Sequence, residues 1–133
     1  MVLVDTSVWV DYFRAVESKE AAYLRSLIEN QEDLCVSGII LTEVLQGIVR
    51  EGEYKTVKSM LDFLIFLPDS KASYELAAEI YRATRSKGET IRNTIDCLIA
   101  ASAIMHHALL LQNDKDFLAI ARFSKLKLVD IRS

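Results

Sequence analysis

"MVLVDTSVW" (Met1–Trp9) opens the chain, and the rest of the fold is read outward from it. Val2–Val4 is a short aliphatic run, the pattern of a strand buried on both faces. It stops abruptly at Asp5, Thr6 and Ser7, and a second apolar-rich stretch follows. Two readings of Asp5 compete. Asp, Thr and Ser at such a junction cap the N-terminus of a helix. A carboxylate that ends a strand can equally belong to a cluster built around a metal ion.

The same alternation continues along the chain. Strand-like runs are Val2–Val4, Leu34–Ser37, Leu64–Leu67, Ala108–Gln112 and Leu126–Ile131. Helical periodicity predicts Val8–Arg14, Lys19–Glu29, Ile39–Arg50, Glu53–Phe63, Lys71–Lys87, Thr94–His106 and Lys115–Arg122. Ser37 and Ser70 stand where N-caps are needed, and Gly52 and Gly88 follow predicted helices, where a left-handed residue is favoured. Pro68 ends the run "FLIFL". Strands alternating with helices imply a mostly parallel sheet of about five strands in a three-layer α/β/α fold.

Bulk properties agree with a single domain over residues 1–133 that needs no staples. Hydrophobic residues are 51% of the chain and charged residues 26%, as in an ordinary water-soluble globule. "FLIFL" is far shorter than the ~20 apolar residues of a membrane span, and no secretory leader opens the chain. A cytoplasmic protein with no membrane partner is expected. Cys35 and Cys97 lie within apolar segments and read as buried free thiols. His106 and His107 are adjacent and diverge on a helix, so they do not form a zinc site.

In a parallel sheet every strand ends at one edge. Asp5 ends the first strand, and Glu43 lies near the start of the helix after the second. Asp96 falls in the first turn of the helix that feeds the fourth strand, and Asp114 follows that strand. Four acids far apart in sequence therefore converge, at the edge where open α/β sheets bind ligands. Taken singly, each has a plainer explanation. Asp5 caps a helix, Glu43 is a surface residue favoured by the helix dipole, and Asp114 or Asp116 serves a turn or cap. Asp96 is harder to explain away, because "TIDCLIAASAIM" (94–105) is otherwise almost wholly apolar and a carboxylate there needs a partner. Either Asp114 or Asp116 serves as the fourth ligand, with Asp114 preferred because it comes first off the strand. Ionised carboxylates ~4 Å apart repel by about 4 kcal/mol per pair at an effective dielectric near 20, so a cluster protonates or holds a hard cation. Mg²⁺ or Mn²⁺, one ion or two, suits such oxygen donors.

The net charge of −3 is unusual for a nucleic-acid binder, but setting aside four ligand carboxylates turns it into +1. The small residues Ala100–Ala103 let their helix press close to the sheet, and Trp9, Tyr12 and Phe13 read as core or interface rather than a base-stacking platform.

Taken together, "LVDTSVWVDYF", "LTEVLQG", "TIDCLIAA" and "QNDKDF" resemble, in order and spacing, the PIN-domain ribonucleases, and among them the VapC-type toxins of toxin–antitoxin pairs. The resemblance runs from Met1 to about Ile131. It implies a PIN-like fold, and a Mg²⁺- or Mn²⁺-dependent endoribonuclease with Asp5, Glu43, Asp96 and Asp114 as catalytic metal ligands. Thr6, Ser7 and Asp116 would assist as a further ligand or as water-positioning groups. It also implies a homodimer, a small VapB-type antitoxin covering the site, and a transfer or ribosomal RNA substrate. The basic run "YRATRSKGETIRN" offers Arg82, Arg85, Lys87 and Arg92 as phosphate contacts, although a solvated helix end explains any one of them equally well. Two departures stand out: "RNTID" lacks a proline common before the third acid, and "QND" replaces a Thr-rich turn.

Two other classes compete with the nuclease. A Mg²⁺-binding receiver domain needs an acceptor Asp ending the third strand, and here Pro68 precedes Asp69. A catalytically inactive PIN-fold binding module has no use for an intact set of acids.

Overall fold

The computed structural model describes residues 1–131. Four parallel strands form one sheet: β1 (Val2–Val4), β2 (Leu34–Ser37), β3 (Ile65–Leu67) and β4 (Leu109–Leu111), in the spatial order β3-β2-β1-β4. Seven helices complete the described chain: α1 (Thr6–Phe13), α2 (Lys19–Glu29), α3 (Gly38–Gln46), α4 (Glu51–Asp62), α5 (Lys71–Ser86), α6 (Thr94–Met105) and α7 (Asp116–Arg122). Each successive pair of strands is joined by two helices. The register sets Val2 opposite both Leu34 and Leu109, and Val4 opposite Leu111, so β1 is hydrogen-bonded on both edges. Leu3 and Val4 are fully buried, as a central parallel strand requires.

The predicted α/β architecture is present, with a shorter sheet margin. Leu126–Ile131, expected as a strand, contributes a single parallel bridge from Leu128 to Leu110. Two hydrogen bonds hold it, Leu110 N to Lys127 O at 3.0 Å and Val129 N to Leu110 O at 2.9 Å. At the sheet margin this segment has β4 on one side only, and its exposed Lys127 and Asp130 leave little to bury. The helix expected over Ile39–Arg50 ends earlier, with Gly47 as its C-cap, and the chain re-enters a helix at Glu51. Gly52, expected as a left-handed stop, lies instead in the first turn of α4. Gly88 does follow α5 with φ +79°, a conformation that favours glycine.

Local chemistry sets the helix starts. Ser37 Oγ accepts from Ile40 N, and Ser18 Oγ accepts from Ala21 N. Ser70 and Ser73 form a reciprocal capping box at α5. Trp9 is fully buried and stacks on Phe13, with centroids 5.6 Å apart, which makes this cluster core. Cys97 and Ala100–Ala103 bury the inner face of α6, and α5 packs along it. Both cysteines are free and buried, and burial pushes their thiols up to about 11, so they behave as small hydrophobes. Among the described residues, no helix is long and apolar enough to cross a membrane.

Leu110 on β4 is fully buried, whereas Val49 is 96% exposed. Leu110→Ala is expected to lower unfolding free energy by about 2–5 kcal/mol, and Val49→Ala to change it by less than ~0.5 kcal/mol. Chemical denaturation of the two variants checks this.

Candidate metal centre

The order β3-β2-β1-β4 creates a topological switch beside β1. The chain steps outward to β2 and β3, then returns across β1 to lay down β4. The crevice beyond the C-terminal ends of β1 and β4 is where such sheets collect ligands. Asp5 stands directly after β1, and its N–H donates to Leu111 O at 2.9 Å, tying the two strand ends together.

Asp5 caps a helix and also stands in the crevice. It is the N-cap of α1: Oδ2 accepts from Ser7 N at 3.2 Å and from Ser7 Oγ at 2.6 Å. It also lines an acidic cleft of about 430 Å³. Ser7 Oγ in turn accepts from Asn113 N at 3.3 Å, which fixes the turn after β4 against α1. Between Asp5 and Ser7, Thr6 Oγ1 donates to Glu43 Oε1 at 2.8 Å, holding the α3 carboxylate toward the same space.

The remaining lining comes from α6, the residues just before it and the turn before α7. Asn93 caps α6 by accepting from Ile95 N at 3.0 Å, and Asp96 follows in the first turn. Asp114 N donates to Gln112 Oε1 at 2.6 Å, and Asp114 Oδ1 accepts from Asp116 N at 3.0 Å. That last bond closes a side-chain turn and delivers both acids to one place. Asp96, Asp114 and Asp116 each offer an oxygen, and these lie within 4.8 Å of one another.

Five acids thus face one cleft, together with Thr6, Ser7, Arg92 and Asn93. The four expected to converge, Asp5, Glu43, Asp96 and Asp114, do so. Asp116 joins them as a full member rather than an alternative to Asp114. Arg92 is also there: its Nε donates to Asp116 Oδ2 at 3.2 Å, and its Nη2 lies 3.6 Å from Asp114 Oδ1. The other basic candidates stand elsewhere. Arg82 and Arg85 line a separate hollow on α5, where the Arg85 guanidinium lies 5.5 Å from the centroid of the Tyr81 ring, and Lys87 is the exposed C-cap of that helix. Sequence reasoning did not single out Asn93, although an Asn immediately before an apolar helix carries the N-cap signature. Asp69, the acid the receiver reading would need, lies outside the cleft and accepts a short hydrogen bond from Ser102.

The electrostatics match the crowding. Burial raises the Asp96 carboxyl to about 7, and the negative charges of Asp114, Asp5, Asp116 and Glu43 add to it. Asp5 is also raised, chiefly by burial, although its bonds to Ser7 and the backbone oppose the rise. Hard oxygen donors, close mutual approach and a carboxyl that resists ionisation form a set that a divalent cation would neutralise. The donors therefore fit such an ion, with oxygens of Asp96, Asp114 and Asp116 within 4.8 Å of one another and Asp5 and Glu43 lining the same cleft.

A carboxyl raised in the folded state binds more protons there than in the unfolded chain, so stability falls as pH rises from about 4 through about 7. In metal-free buffer, Asp96→Asn is expected to stabilise the fold above pH 7 and to give no gain near pH 4. Thermal unfolding across that range checks both halves.

Comparison with known proteins places this geometry in a group. The PIN domain family model matches residues 2–123. The chain is 40% identical to "Ribonuclease VapC11" of Mycobacterium tuberculosis, with 99% of this chain and 100% of that one covered. Ribonuclease VapC19 of the same species is 32% identical over 111 residues, 84% of this chain and 86% of the relative. Among solved structures, VapBC2 from Rickettsia felis, bound to a DNA fragment from its promoter, has a TM-score of 0.76 at 23% identity. That match covers 99% of this chain and 100% of the other. FitAcB from Neisseria gonorrhoeae has a TM-score of 0.71 at 21% identity, covering 98% and 97%.

Proposed function

This chain belongs to the PIN-domain family, and on that premise we propose that it is the ribonuclease toxin of a toxin–antitoxin pair, hydrolysing RNA phosphodiester bonds at the acidic cleft. One observation carries the reading: carboxylate oxygens of Asp96, Asp114 and Asp116 lie within 4.8 Å of one another. Asp5 and Glu43 line the same cleft. Asp5, Glu43, Asp96 and Asp114 are the proposed catalytic ligands for Mg²⁺ or Mn²⁺, with Asp116 as a further ligand. Once bound, the ion supplies a polarised water and stabilises the charge that builds on the scissile phosphate.

The chain's own groups do the positioning. The Ser7 hydroxyl and N–H hold Asp5 in one orientation, and the Thr6 hydroxyl holds Glu43. Such bonds to ligating carboxylates keep them aimed without spending their remaining lone pairs. Arg92 lines the cleft and offers a planar fork suited to a phosphate. Arg82, Arg85 and Lys87, on and after α5, are proposed to contact RNA phosphates farther from the chemistry.

Transfer or ribosomal RNA is the proposed substrate class. A small VapB-type antitoxin covering the cleft and a homodimeric toxin complete the reading. VapBC2 from Rickettsia felis, of which one chain shares this fold, supports it.

Asp96→Asn is expected to lower RNA cleavage by at least about 100-fold. Far-UV circular dichroism should remain that of the wild type. Chelation should abolish cleavage, and Mn²⁺ or Mg²⁺ should restore it. Mapping cut ends in total RNA after brief expression identifies the target, and full cleavage by the Asn variant rejects the proposal.

A further inference from the structure

Arg92 lies between α5 and α6, immediately before the Asn93 cap. Its guanidinium spans two of the three clustered carboxylates, at 3.2 Å from Asp116 Oδ2 and 3.6 Å from Asp114 Oδ1. The two ends of this pairing sit in different surroundings. The Asp116 side chain is only 9% exposed, whereas that of Arg92 is 64% exposed. Among the described residues, Arg92 is the one basic side chain lining the cleft.

A divalent ion held by Asp96, Asp114 and Asp116 would draw on carboxylates that Arg92 already engages. The two cations would also repel across a short distance in a partly desolvated cleft. Arginine cannot relieve that repulsion by losing its proton. It can leave, because an ion pair with one end in water is weak and the exposed side chain is free to swing outward. We propose that Arg92 is a displaceable counter-cation, competing with the divalent ion for Asp114 and Asp116 and yielding to it. The inference rests on the reading of the cleft as a divalent-ion site. It assigns Arg92 a second position, at the rim, once the ion is bound. Arg92 is thus a positioning residue that sets how tightly the metal is held.

Isothermal titration of chelator-treated protein with Mn²⁺ alone tests this in the wild type, Arg92→Gln, Arg92→Lys and Asp96→Asn. Removing the competitor is expected to tighten Mn²⁺ binding about 1.5- to fivefold in Arg92→Gln, the scale of one exposed ion pair. Arg92→Lys, which keeps the charge and loses the fork, should fall between. Unchanged or weaker binding in Arg92→Gln overturns the inference, since a guanidinium that merely orients the carboxylates would leave a poorer site when removed. Asp96→Asn tests the ion site itself: wild-type affinity in that variant rejects the site, and the competition with it. A second readout follows the Arg92 Nε–H resonance during Mg²⁺ titration. It should shift in step with the Asp116 amide. An Nε–H signal that stays fixed while the Asp116 amide moves rejects displacement.

Discussion

Mutual repulsion among carboxylates at one edge of a parallel sheet is the constraint on which the rest of this molecule depends. Each acid reaches the cleft through a separate element: Asp5 after β1, Glu43 on α3, Asp96 on α6, and Asp114 and Asp116 around the start of α7. No element could relax its own acid out of the cleft without giving up a cap, a turn or a packed face. Asp5 is the clearest case, because the oxygen that caps α1 belongs to the carboxylate that lines the site. Helix cap and acidic cleft share one side chain there, and the fold holds the repulsion in place.

Partial compensation comes from small, local devices. Ser7 and Thr6 offer hydroxyl donors to Asp5 and Glu43, and Arg92 offers its guanidinium to Asp114 and Asp116. Asp96 carries the residue of the strain, with its carboxyl raised to about 7 by burial and by four neighbouring acids. The helix around it is nearly featureless: just beyond Asp96, α6 buries Cys97, Ile99 and four small residues, and α5 packs along it. A flexible mount would let Asp96 escape to water and lower its charge cost. The dense packing of α6 is therefore part of the site's electrostatics.

Much of this was legible before any coordinates. β1, α2 and β2 fall on their predicted residues, because their apolar runs are short and their caps unambiguous. Where the reading missed, the cause is specific. Gly47, not Gly52, ends α3, since a glycine between two helical patterns can close one or sit inside the other. Leu126–Ile131 has strand-like alternation, but a segment with one neighbour and two charged outward positions keeps a single bridge. Arg92 shares only charge and closeness in sequence with Arg82, Arg85 and Lys87, and neither reveals that it faces the carboxylates while Arg82 and Arg85 line a hollow elsewhere.

By itself the sequence determined the α/β alternation, the edge at which the acids emerge and the identity of the four that converge. Those properties are local or topological: a strand's end, a helix's first turn and the parallel direction of the sheet are all encoded in short stretches. Only the tertiary structure decided that Asp116 completes the cluster, that Arg92 pairs with it, and how near the oxygens lie to one another. Distances between side chains on different elements depend on how α6 packs and how the turn after β4 closes. Both are set by contacts between residues far apart in the chain.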